Sequence, residues 1–197
     1  MSSRLTAVVL DADDPYRLHL HLTSADAVEQ RTIVGRVIRL GGDHLDVGQR
    51  PEERHVVLVD PKGNVLCVIA PGNAFLAGCG PLGEAACDGS RRVGCFWAEV
   101  LGWPLVWDQD EETAIQSPHG GTKVAWGGPP VLPQRGRNRQ RFELAVVEGD
   151  LEREVDRLAG LGARVVGREA GGEVVELVDP DGNEFQLCRG EPAVGCA

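Results

Sequence analysis

Two histidines separated by a single leucine carry the clearest chemical potential in this sequence. His19 and His21 stand in Leu18-His19-Leu20-His21-Leu22, where strict alternation puts both imidazoles on one face of a strand and the leucines on the other. Imidazoles at i and i+2 can share a metal ion, and a cysteine brought beside them would complete a soft donor set of the kind zinc accepts. Cys67 is the candidate for that third place, because it sits in a hairpin that the chain makes twice, at the position that matches Gln186 in the other copy. The competing reading is a pair of hydrogen-bonded or solvent-facing imidazoles beside a buried thiol. His44, His55 and His119 fall in or near loops and form no pattern. The sequence has no Gly-rich phosphate loop, no Ser or Cys nucleophile motif and no His-Glu-x-x-His zinc motif.

The elements that must position these groups come in repeats. Val175 to Leu187 reads as two apolar runs joined by Asp179-Pro180-Asp181-Gly182-Asn183, and Val56 to Val68 has the same layout around Asp60-Pro61-Lys62-Gly63-Asn64. Proline presets φ for a turn corner, Asp accepts bonds from its own following backbone, and Gly-Asn tolerates the left-handed region that closes the turn. Around these hairpins the pattern is strand, helix and three strands. It occurs at residues 16–70, 82–128 and 139–190, after a lone strand at Leu5 to Leu10 that stops at Asp11-Ala12-Asp13-Asp14-Pro15. Ser24 is the expected cap of the first helix, through Leu40, and Asp88 or Ser90 that of the second. The second helix carries an apolar stripe, Val93, Phe96, Trp97, Val100 and Leu101, ended by Gly102; the third runs from Asp150 to Leu161.

Composition narrows the function classes. The 197 residues carry 30 acidic and 20 basic side chains, a formal charge of −10, which opposes binding to a polyanion. The densest basic run, Arg135, Arg137, Arg139 and Arg141, lacks interleaved aromatics, so no nucleic-acid partner is expected. No apolar run reaches the roughly 18 residues of a membrane span, so no membrane partner is expected and the location is read as cytoplasmic. Six cysteines without Cys-x-x-Cys spacing read as reduced thiols, with Cys196 exposed in the tail.

Phe96-Trp97-Ala98-Glu99-Val100-Leu101-Gly102-Trp103 is similar to the Phe-Tyr-x-x-x-Leu-Gly-Trp helix end of the vicinal oxygen chelate superfamily, the glyoxalase, bleomycin-resistance and extradiol dioxygenase group. Asp179-Pro180-Asp181-Gly182-Asn183 is similar to that group's Asp-Pro-Asp-Gly-Asn turn, and the order of the two motifs within β-α-β-β-β units resembles its glyoxalase-like branch. The resemblance implies an α+β fold in which two units pair into a cupped, eight-stranded barrel that holds the ligand or metal. On that basis the units at 82–128 and 139–190 are expected to form one complete barrel. The strand and unit before residue 72 would form an incomplete repeat, followed by a linker at 73–81, with a tail at 191–197. An open half-barrel leaves strand edges bare, so a homodimer that covers the N-terminal half is a further expectation.

The superfamily's metal enzymes draw ligands from the first and last strands of each unit. Matching those positions in the expected barrel gives Glu84, Glu143 and Gln186, with Arg141 among them, a weak set for a divalent metal because Gln brings no charge and a guanidinium repels a cation. The expectation is therefore that Glu84 pairs with Arg141 or Glu143 in a ligand cup. Trp107 and Trp126 would line it and stack on a small organic or aromatic molecule bound without metal. The alternative is a metal-dependent lyase, isomerase or dioxygenase with the ion on Glu84, Glu143 and Gln186, or on His19, His21 and Cys67.

Overall fold

The computed structural model describes residues 3–10, 18–50, 52–131, 140–147 and 149–190. The expected stop at Asp11 to Pro15, the entry at Tyr16 and Arg17, the basic run at Arg135, Arg137 and Arg139, and the tail with Cys196 lie outside the described residues. Among the described residues thirteen strands and three helices follow in the order β1 (Ser3–Leu10), β2 (Leu18–Leu22), α1 (Ala27–Arg39), β3 (Asp43–His44), β4 (Val56–Val59), β5 (Val65–Val68), β6 (Leu82–Cys87), α2 (Arg91–Leu101), β7 (Leu105–Gln109), β8 (Glu112–Gln116), β9 (Lys123–Trp126), β10 (Gln140–Val146), α3 (Leu151–Leu161), β11 (Arg164–Arg168), β12 (Val174–Val178) and β13 (Glu184–Arg189).

The strands form two open sheets. One has eight strands in the order β3-β4-β5-β2-β6-β9-β8-β7, the other five in the order β1-β10-β13-β12-β11. This mixed α+β arrangement corrects the expected pairing of units. The unit at 82–128 joins the unit at 16–70, through antiparallel β2 and β6, while the unit at 139–190 joins the lone first strand, through antiparallel β1 and β10. Among the described residues the expected barrel of 82–128 with 139–190 does not form, and neither sheet closes on itself.

Local chemistry sets the element ends. Asp26 rather than Ser24 caps α1, its Oδ1 accepting from Val28 N at 2.7 Å and Glu29 N at 2.8 Å, because the Ser24 hydroxyl donates instead to Ile69 O at 2.7 Å. Ser90 stands at the start of α2 with its N–H and hydroxyl both donating to Asp181, at 2.7 and 3.0 Å. The two repeated turns close alike. Asp60 N donates to Asn64 O and Asp179 N to Asn183 O, each at 2.9 Å, and each Asp Oδ1 takes the Asn backbone N–H.

One core cluster spans both sheets and the helices between them. Val93, Phe96, Trp97 and Val100 of α2 meet Leu144, Phe185 and Leu187 of the five-stranded sheet, and the Trp97 ring lies 5.0 Å from those of Phe142 and Phe185. The approach of α2 to β8 requires a glycine, since a Cβ on Gly94 would fall 2.0 Å from Thr113 Oγ1. Packing thus holds one face of the eight-stranded sheet rigid from behind and leaves the other face for a site.

Candidate functional site

Strand register lays out that second face row by row. Partners across β5, β2, β6, β9 and β8 place Cys67, His21, Glu84, Lys123 and Gln116 side by side. One pleat away, partners across β2, β6, β9, β8 and β7 place His19, Ala86, Ala125, Ala114 and Trp107 side by side. Side chains at i and i+2 share a face, so the two rows make one surface, polar along one line and small or aromatic along the next. A cavity of about 370 Å³ opens on it, lined by His19, His21, Glu84, the three alanines and Trp107, with Phe75 from the segment between β5 and β6 at its edge.

At the polar end the contacts are short. His21 Nδ1 lies 2.5 Å from Glu84 Oε2, and His21 Nε2 lies 2.9 Å from His19 Nε2. Glu84 is only 7 % exposed, so its charge needs this partner. Burial opposes a charge on His21, yet hydrogen bonds to Cys67 and Glu84 outweigh it and raise the ring to about 9. Burial and the neighbouring His21 act together on His19 and lower it to about 4. At neutral pH the ion-free site therefore holds a charged His21 between a carboxylate and a neutral imidazole.

Among the described residues one group of three His, Cys, Asp or Glu side chains converges closely enough to hold an ion. Its members are His19, His21 and Cys67, with ligand atoms within 4.8 Å of one another. The donor set fits: two neutral imidazoles and a thiolate suit zinc or a related soft divalent cation, and a carboxylate on the other nitrogen of a ligating histidine is the usual supporting contact. The fit is also metrically close, because two nitrogens on a tetrahedral zinc stand roughly 3.3 Å apart, against 2.9 Å here.

The residues expected in the cup divide between the sheets. Glu84 reaches the cavity, and its partner is His21 in place of the expected Arg141 or Glu143. Arg141, Glu143 and Gln186 lie on β10 and β13 of the five-stranded sheet, where Glu143 faces Gln186 across the ladder and Cys188 Sγ approaches Glu143 Oε1 at 3.8 Å. Glu84, Glu143 and Gln186 therefore do not share a face. Trp107 lines the cavity at 38 % exposure; Trp126 touches it but is 2 % exposed and belongs to the core behind the sheet.

Sequence reasoning missed Phe75, Lys123 and the alanines. The Phe75 ring meets Trp107 edge-on at 5.9 Å, and the Lys123 ammonium donates to the Phe75 carbonyl and sits 4.3 Å from the ring centroid. The alternation Glu84-Ala85-Ala86 and Lys123-Val124-Ala125 was a usable signal for small residues on one face, but only once the strand neighbours were known. A larger groove of about 900 Å³ runs between α1 and residues 69–81, yet it holds no converging ligand set among the described residues, so the chemistry belongs to the smaller cavity.

Comparison with known proteins bears on the fold and the family. Glyoxalase I of Zea mays superposes on the chain with a TM-score of 0.56 at 14 % identity, over 87 % of this chain and 66 % of that one. A V278E mutant of the same enzyme gives a TM-score of 0.60 at 15 % identity, again over 87 % and 66 %. The chain thus spans about two thirds of the length of these structures, and at such identity the likeness is one of fold. No curated protein matches the sequence. The family model described as a glyoxalase-like domain matches residues 3–69 and 84–188. With nearly the whole chain accounted for in this way, the protein belongs to the glyoxalase-like domain family, within the vicinal oxygen chelate superfamily.

Proposed function

We propose that this protein binds a small organic molecule in the 370 Å³ cavity against a divalent metal ion held by His19, His21 and Cys67. The observation that carries the reading is the convergence of those three ligand atoms within 4.8 Å, with His19 and His21 lining the cavity beside Glu84, Glu112, Phe75 and Trp107. When bound, such an ion would polarise an oxygen of the ligand. Glu84 holds the His21 ring in place through Nδ1 and leaves Nε2 directed at His19, and Phe75 and Trp107 shield the cavity edge from water.

The expectation of binding without metal keeps one observation in its favour. The 2.9 Å contact between the two imidazoles is a complete hydrogen bond in its own right, and the chain Glu84–His21–His19 can hold and move a proton at His19 Nε2 without an ion.

Elemental analysis of protein purified without chelators separates the two. Metal near one equivalent per chain is expected, lost in both Cys67→Ser and His21→Ala. Metal-free protein after dialysis against zinc, cobalt and nickel would leave the proton-chain reading and remove the metal.

A further inference from the structure

The helices of the fold differ in what covers them. In α2 the residues Val93, Phe96, Trp97, Val100 and Leu101 are buried, because α3 and the five-stranded sheet pack against that helix. In the first unit α1 holds the matching place, following β2 as α2 follows β6, and none of its residues is buried. At the edge of the five-stranded sheet β1 stands alone where a second unit would carry a counterpart of α3, and only residues 11–17 separate it from β2. The side of α1 left uncovered in this way is the groove of about 900 Å³. Ile33, Val37 and Leu40 form its helical wall, at i, i+4 and i+7, and Leu40 is 69 % exposed. Ala74, Leu76 and Ala77 belong to the facing wall. Hydrogen bonds fix the walls relative to each other, since the Ser24 hydroxyl donates to Ile69 O at 2.7 Å and Thr23 N donates to Pro81 O at 3.0 Å.

Among the described residues the groove has two charged side chains in its lining, Glu29 in the first turn of α1 and Arg36 two turns later on the same stripe. Reversing the direction of such a helix exchanges the two signs. About a two-fold axis between Thr32 and Ile33, Glu29 meets Arg36 of the partner subunit and Arg36 meets the partner subunit's Glu29. Ile33 then lies at the axis and Leu40 over the partner's Ala25, which also lines the groove. The stripe is complementary to itself when antiparallel, whereas a parallel copy would set like charges together. A small apolar molecule in the groove would leave both charges unmatched. The chain as a whole carries a charge of −10, but this stripe is balanced.

From the bare apolar stripe and its self-complementary charges we infer that a second copy of this chain docks in the groove, α1 against α1 in antiparallel sense, and that the protein is a two-fold dimer through this face. The partner's helix gives α1 the cover that α3 gives α2. The inference does not depend on the proposed metal or ligand, although the interface reaches the site's border: Phe75, between Ala74 and Leu76, edges the smaller cavity.

Sedimentation velocity of the full chain at about 50 μM, in about 0.15 M salt, tests it. The native chain should sediment as a dimer. Arg36→Glu and Glu29→Lys should each weaken that dimer roughly 10-fold or more, because each sets two like-charge contacts across the axis. An equimolar mixture of the two variants should regain the dimer, since the mixed pair restores opposite charges at both contacts. Leu40→Lys, at a position exposed in the single chain, should give a monomer with unchanged circular dichroism. Should Glu29→Lys fold poorly, for it also loses the bond from Ala25 N at 2.6 Å, Arg36→Glu and Leu40→Lys carry the test. A monomeric native chain, with or without a co-purified apolar molecule, overturns the inference. So does a dimer that survives these substitutions, or a mixture of folded charge variants that stays monomeric.

Discussion

Replacing Glu84 by Gln probes the centre of the site with little change of volume. The carboxylate is 7 % exposed and its Oε2 lies 2.5 Å from His21 Nδ1. In the native chain His21 rises from an ordinary 6.5 to about 9, against the pull of burial and through its bonds to Cys67 and Glu84. At 1.36 kcal/mol per unit, that difference sets a ceiling of about 3 kcal/mol on what a protonated His21 adds to stability. A hydrogen bond between charged groups contributes ~1.5–3 kcal/mol, and Cys67 supplies part of the effect, so the Glu84→Gln loss is expected near 2 kcal/mol. Because the folded value lies above the unfolded one, this stability is fully present below pH 6.5 and disappears as pH rises through 9. Above that, the native protein holds a buried carboxylate beside a neutral ring, and the variant becomes equally or more stable. Urea unfolding of chelator-treated protein at pH 6, 8 and 10 measures the difference, with a melting shift of about 4–8 °C at pH 6 for a chain of this size. A penalty that is constant across that range, or largest at pH 10, would refute the His21–Glu84 ion pair.

Two further substitutions test the frame that holds the site. Gly94→Ala places a Cβ 2.0 Å from Thr113 Oγ1 where α2 crosses β8, so it should cost about 2–3 kcal/mol by overpacking, read by urea unfolding, and an unchanged midpoint would contradict the packing. Asp179→Ala removes the acceptor for Asp181 N, Asn183 N and the Trp97 indole at once; it is expected to cost about 2–4 kcal/mol, with a loss of near-ultraviolet circular dichroism from Trp97, and native-like Trp97 signal would show that the turn does not position α2.

Local rules carried much of the molecule. Alternation at Leu18 to Leu22 defined both the strand and the face shared by His19 and His21, and the Asp-Pro-x-Gly-Asn turns closed with the same hydrogen bonds in both copies. The apolar stripe of α2 was legible from spacing alone and is the buried face. These features depend on neighbours within about four residues, where backbone sterics, capping bonds and side-chain periodicity act directly.

The partnership of the units was not legible. Four opening strands, β1, β2, β6 and β10, each have an edge to offer and similar apolar alternation, and the ladder that joins them is made of backbone groups that every residue possesses. What selects β2 with β6 and β1 with β10 is burial summed over α2, α3 and both sheets, a property of no single segment. That choice decided the chemistry. By itself the sequence determined that His19, His21, Cys67 and Glu84 each stand on a strand, with the two histidines on one face. Only the tertiary pairing of β2 with β5 and β6 placed Cys67 and Glu84 on either side of His21, and His19 in line with Ala86, Ala125, Ala114 and Trp107.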